Sequence, residues 1–281
     1  MTIFQLLLPA FVASLILTGI HAYLGVHVVE RGVIFVDLSL AQIAALGTTV
    51  AYLAGYDLHS TAAYLFSLGF TFVGAAIFAF TRMHGQTRIP QEAIIGIVYA
   101  VSAALAILVM SKATQETEHL KEMLVGNILS VTWPELGKTA VLYALVGAFH
   151  YAFRRRFLLI SMNEAEAERR GWNVRRWNFL FYVSFGFVVT SSVAIAGVLL
   201  VFCFLIVPSV TAMLFAQRLG PRLAIGWTMG AAVSAGGVAL SFVLDLPTGA
   251  TIVATFGVTL LLLALARWAW MGVRRRPAAT T

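Results

Sequence analysis

Residues 177–217 carry no charged side chain. As one helix rising about 1.5 Å per residue, the run would reach roughly 60 Å, twice the hydrocarbon core of a bilayer. It is too long and too apolar for a single crossing. The expectation is two membrane-spanning segments divided near Ser191, Ser192 and Gly197. The rest of the chain fits that setting. Of its 281 residues 60% are hydrophobic and 11% charged, against about 25% charged in a soluble domain. A water-soluble enzyme and a free nucleic-acid binder are thereby excluded, and disorder by the high hydrophobicity.

A span needs about 20 predominantly apolar residues. The stretches that qualify are 3–26, 33–54, 61–81, 93–111, 136–153, 177–193, 197–217, 223–243 and 249–270. The reading is therefore one all-α domain over 1–281, a polytopic transmembrane helix bundle. Residues 1–5 hold no basic residue and the first apolar stretch is long enough to span, so it reads as a crossing rather than a cleaved signal. Arginines assign the cytoplasmic side: Arg154, Arg155, Arg156, Arg169, Arg170, Arg175 and Arg176 in one loop, Arg218 and Arg222 in a second. Arg274, Arg275 and Arg276 place the C-terminus inside, while Arg31, Arg82 and Arg88 mark earlier inner turns. Nine crossings with an outer N-terminus follow, and the net charge of +7 becomes a matter of topology, with no polyanionic partner implied. Residues 118–131 are too short to span and read either as an interfacial or re-entrant helix or as an external loop helix. Gly226 and Gly230 form a GxxxG pair suited to close helix contact, within the bundle or with a partner.

The chain lacks an energy source of its own. Gly137, Lys138 and Thr139 end like a phosphate-binding loop, but Thr132 stands where its first glycine belongs and Pro134 interrupts the approach. If ATP drives this protein, another chain binds it. No HExxH or GxSxG occurs, and none of the six histidines stands three or four residues from another, so no helix offers a two-histidine metal face. His59, His84 and His119 read as loop residues, and His27 and His150 as boundary residues. Cys203 lies in an apolar run and reads as a small packed hydrophobe. Ionisable and polar groups inside a membrane are functional by default. Here these are Asp37, Ser39 and Gln42 near the start of the second span, and Glu92 at the edge of the fourth. Asp37 is either a pathway residue or a boundary residue paired with Arg31 or Arg88. Glu92 is either functional or an acid favoured by a helix N-terminus.

In chain order, six segments resemble the permease subunit of the zinc/manganese/iron-type ATP-binding-cassette importers: residues 25–35, 37–47, 92–99, 124–129, 163–171 and 205–212. The resemblance covers nearly the whole chain. It implies a membrane channel working as a homo- or heterodimer, driven by two cytoplasmic ATP-binding subunits and supplied by an extracytoplasmic metal-binding protein. The chain itself would hold no cofactor and perform no hydrolysis. The resemblance also makes Asn163, Ala167 and Gly171, with Arg169 and Arg170, a coupling segment within residues 161–172. Its acids fall early and its arginines late, as a helix dipole favours.

In one respect the chain departs from the family pattern. The family places Asp and His four apart on the second span. In register, Leu38 and Gln42 occupy those positions, and Asp37 is one residue early. On a regular helix Asp37 and Gln42 are separated by about 140°. A π-bulge would bring them onto one face. Without one, the site offers only oxygen donors, which suit manganese better than zinc. The metal stays open, as does a metal chelate or another small solute as cargo. Two other readings compete: a self-sufficient ion-coupled transporter, and an intramembrane enzyme using Asp37 and Glu92.

Overall fold

The computed structural model describes residues 3–58, 60–82, 89–111 and 128–274. The expected helix at 118–131 lies almost wholly outside them, as do the family segment 124–127, Arg88, His59, His84 and His119. Among the described residues the regular structure is helical throughout. In order, α1 is Ile3–Glu30, α2 Val36–Leu53, α3 Thr61–Thr81, α4 Gln91–Met110, α5 Trp133–Ala152, α6 Arg154–Met162, α7 Glu164–Arg169, α8 Val174–Phe215, α9 Leu219–Leu244 and α10 Thr248–Arg274. A 3-10 turn, Ile128–Ser130, precedes α5. Seven of these helices (α1, α2, α3, α4, α8, α9 and α10) are long and apolar enough to cross a membrane.

Local sequence sets the ends. Ser60 caps α3 by accepting the Ala63 amide at 3.1 Å. Glu135 turns back to accept the Thr132 N–H at 2.8 Å, at the N-terminus of α5. Asn163 and Asn173 cap α7 and α8 by accepting the amides of Glu166 and Arg176. The long uncharged run breaks at Gly197, where φ is 74° and ψ 164°; Ser191 and Ser192 stay helical. Glycine takes that conformation without the Cβ penalty other residues meet.

In lipid the helices gain nothing by hiding apolar surface from water, so close packing and hydrogen bonds hold them together. Gly25 is the tightest crossing: a Cβ there would lie 2.0 Å from the Leu205 carbonyl oxygen, so α1 rests on the backbone of α8. Ser209, which donates to Leu205 O at 2.8 Å within α8, also lies 3.2 Å from Ala22 O across the same crossing. The GxxxG pair packs inside the chain: Gly226 faces Ala22 and Pro208, and Gly230 faces Thr18. Its small surface is thus used by α1, not left for a partner. Ser67 bonds Ala44 O at 2.9 Å and Thr71 meets Thr190 at 3.1 Å, tying α3 to α2 and α8. A core of Phe78, Phe157, Phe181, Tyr182, Phe185 and Phe204 fills the middle.

Candidate functional site: a buried α2 and an arginine-flanked elbow

α2 is buried along most of its length. Asp37 and Ser39 are fully buried and Gln42 nearly so. Both Asp37 carboxylate oxygens and the Ser39 hydroxyl lack a hydrogen-bond partner among the described residues. Burying an unpaired acid is costly, so Asp37 is held there by the surrounding packing and offers two oxygen donors to anything that arrives. α2 runs as an uninterrupted α-helix. No π-bulge brings Asp37 onto the face of Gln42. Arg31 binds other groups and does not partner Asp37. Glu92 accepts the Phe35 N–H at 2.9 Å and so ties α4 to the turn between α1 and α2. Among the described residues no cluster of three or more His, Cys, Asp and Glu is arranged to hold a metal.

α6 runs into α7 as an elbow, and residues 161–172 hold the last two residues of α6 and the whole of the short helix α7. Each residue singled out there has a physical role. Asn163 closes α6 and caps α7. Ala167 is fully buried against Ile160 and Val174, where a larger side chain would not fit. Gly171 has φ 73°, and the amides of Gly171 and Trp172 turn back to the carbonyls of Glu168 and Ala167 at 2.8 and 3.1 Å. Arg169 and Arg170 each pair with Glu166 at 2.8 Å on the exposed face. The Arg170 hydrogen bond, then the Arg169 charge, hold the Glu166 carboxyl below its usual pKa.

A polar chain invisible to motif reading joins this elbow to the bundle. Glu164 takes Arg82 in a two-pronged ion pair at 2.8–3.1 Å. Asn178 donates to Glu164 at 3.2 Å and accepts from Arg31 at 2.6 Å. Arg31 also donates to Ser161 at 2.8 Å, and Ser161 meets His27 at 2.8 Å. The guanidinium lies 4.0 Å over the Phe181 ring. Burial lowers the Arg31 pKa to about 10, leaving it charged at neutral pH. These residues come from α1, α3, α6, α7 and α8, and their sequence separations leave no local pattern. The structure also brings His27 and His150 together, with ring centroids 6.3 Å apart. Helical spacing could not show this, because the two rings come from α1 and α5.

A bundle with seven helices long and apolar enough to cross a membrane is the architecture of a multi-pass membrane protein. The comparisons narrow the class. Residues 3–267 match the model of the ABC 3 transport family, and the chain belongs to that family. It is 27% identical over 244 residues to the manganese transport system membrane protein MntC of Listeria innocua, which covers 87% of this chain and 84% of the relative. It is 28% identical over 250 residues to a probable iron transport system membrane protein of Haemophilus influenzae, covering 89% of each. Its fold matches a chain of PsaBC from Streptococcus pneumoniae in complex with Fab, with a TM-score of 0.77, 24% identity and coverage of 93% and 91%. The protein is therefore a multi-pass membrane transport subunit of the ABC type, and Asp37 and Glu92 are not the acid and base of an intramembrane enzyme.

Proposed function

We propose that the chain is the membrane-spanning subunit of a cell-membrane ABC importer that moves a divalent transition-metal ion, manganese, iron or zinc, into the cytoplasm. The observation that carries this reading is the near full-length similarity to manganese and iron transport membrane proteins. A second permease copy, two cytoplasmic ATP-binding subunits and an extracytoplasmic metal-binding protein complete the assembly. The chain needs no cofactor of its own; ATP is bound and hydrolysed on the partner. We infer nine crossings with the C-terminus in the cytoplasm, counting α8 as two at Gly197 and adding α5.

The mechanism is alternating access. The ATP-binding subunits grip α7 through Asn163, Arg169, Arg170 and Gly171. Their movement passes through Ser161 and Glu164 to Arg31, Arg82 and Asn178, and so to the inner ends of α1, α3 and α8. Asp37, with Ser39 and Gln42 on the same helix, meets the ion in transit. The absence of an α2 histidine opposite Asp37 favours a second reading, in which the cargo is a chelated metal whose ligands travel with it. Uptake by membrane vesicles holding the complex, fed free manganese, iron or zinc or the same metals chelated, separates the two. ATP-dependent accumulation of a free ion supports the first, and accumulation of the chelate alone the second. No metal accumulation in either form contradicts both.

A further inference from the structure

Three rings inside the bundle have polar atoms with nothing to bond. Tyr23 and His27 are one helical turn apart on α1, and His150 faces them from α5. Their centroids lie 4.8 Å (Tyr23–His27), 5.5 Å (Tyr23–His150) and 6.3 Å (His27–His150) apart. His27 and His150 are each 1% exposed. The Tyr23 hydroxyl, His27 Nε2 and His150 Nδ1 have no hydrogen-bond partner among the described residues. A buried polar atom without a partner loses its hydration and gains nothing in return. Three in one cluster, between α1 and α5, are a standing cost that a ligand would relieve.

The neighbouring serines show what ligand suits it. With the Ser184 proton on Phe181 O, 2.9 Å away, Ser184 accepts from His150 Nε2 at 2.8 Å. That tautomer of His150 leaves Nδ1 with a bare lone pair. Ser161 accepts from Arg31 Nε and meets His27 Nδ1, at 2.8 Å in each case. The His27 tautomer that carries its proton on Nδ1 leaves Nε2 bare as well. A metal-binding histidine characteristically donates its other ring N–H to a fixed partner, and both rings have one. Imidazole nitrogens bind a metal at about 2.1 Å, which sets two rings on one ion about 5–6 Å apart, against the 6.3 Å between His27 and His150.

We propose that Tyr23, His27 and His150 form a station for the transported ion, taking a first-row divalent metal on two imidazole nitrogens and a phenolic oxygen. The inference rests on the metal-importer reading and supplies the nitrogen donors that α2 lacks. Arg31, one turn beyond His27, opposes a lasting cation there. This suits a station the ion must leave as readily as it enters.

The test titrates the tag-free, full-length chain in detergent with cobalt(II) alone, read by visible absorption and by X-ray absorption for imidazole scattering. One cobalt site with imidazole ligands is expected. His27→Asn and His150→Asn should each lower its affinity at least tenfold, and the double variant should abolish the imidazole signal. If the histidine variants do not fold, Ser184→Ala leaves the ring in place and should weaken binding about tenfold. A wild-type chain without imidazole-bound cobalt, or a folded double variant that keeps the signal, overturns the proposal. An ordered water bridging the rings, without metal, would show as that first result. Metal uptake by the complete assembly is scored separately: uptake without a cobalt–imidazole site sinks only this inference, whereas a cobalt–imidazole site without uptake sinks the importer reading.

Discussion

Gly25 shows how little room a single position can leave. A methyl group there would overlap the Leu205 carbonyl, and backbone cannot step aside as a side chain can. Gly25→Ala should cost about 3 kcal/mol or more, seen as a large fall in thermal midpoint in detergent. Asp37 is the opposite case, a residue kept at a cost to the fold. Asp37→Asn removes the charge and keeps the shape. Uptake should fall about tenfold or more, the factor that about 1.4 kcal/mol of lost ion stabilisation gives, with the melting temperature unchanged or higher. A variant that transports normally would remove Asp37 from the pathway. At this scale the sequence was partly legible. Asp37, Ser39 and Gln42 stood out because polar groups are rare in spans. Arg31, Ser161 and Asn178 did not, because their meaning lies in contacts across more than a hundred residues. His27 and His150 were read as boundary residues, since a pair split between two helices has no periodicity to detect.

The elbow is the element where sequence and structure correspond most closely. An Asn, an Ala four residues on and a Gly four beyond that are a cap, a buried seat and a left-handed stop, and each follows from the residue type. Asn163→Ala should destabilise α7 by about 0.5–2 kcal/mol, and Gly171→Ala by about 1–2 kcal/mol through its positive φ. Both should leave the bundle folded. In the assembled transporter they should lower uptake more than ATP hydrolysis, an uncoupling measured by assaying the two on one preparation. Glu166 adds a pH signature. Its pKa is depressed by Arg170 and Arg169, so its contribution is complete above the ordinary carboxylate pKa. It is lost as pH falls through the depressed value. Amide protection across residues 164–170, measured against the intrinsic exchange rate at each pH, should hold on acidification to the ordinary carboxylate range and fall only below it. In Glu166→Gln the lower protection should already be present at neutral pH. The division into α6 and α7 was not legible, since Asn163 caps one helix by ending another.

Across the whole molecule, the span pattern was readable because lipid permits so few backbone solutions. The uncharged run of residues 177–217 had to break, and Gly197, of the small residues near its centre, was the one able to leave helical φ/ψ at low cost. The role of the GxxxG pair was not readable, because a small surface does not name its partner; here α1 takes it. In the proposed assembly, the chain of paired side chains that joins the bundle to its elbow carries a push from the ATP-binding subunits. The most direct measurement is metal accumulation by sealed proteoliposomes, comparing the permease with its ATP-binding subunits against the permease alone. Accumulation that requires ATP and the partner, and that is lost in Glu164→Ala, is the predicted result. Equal accumulation by the permease alone would contradict it.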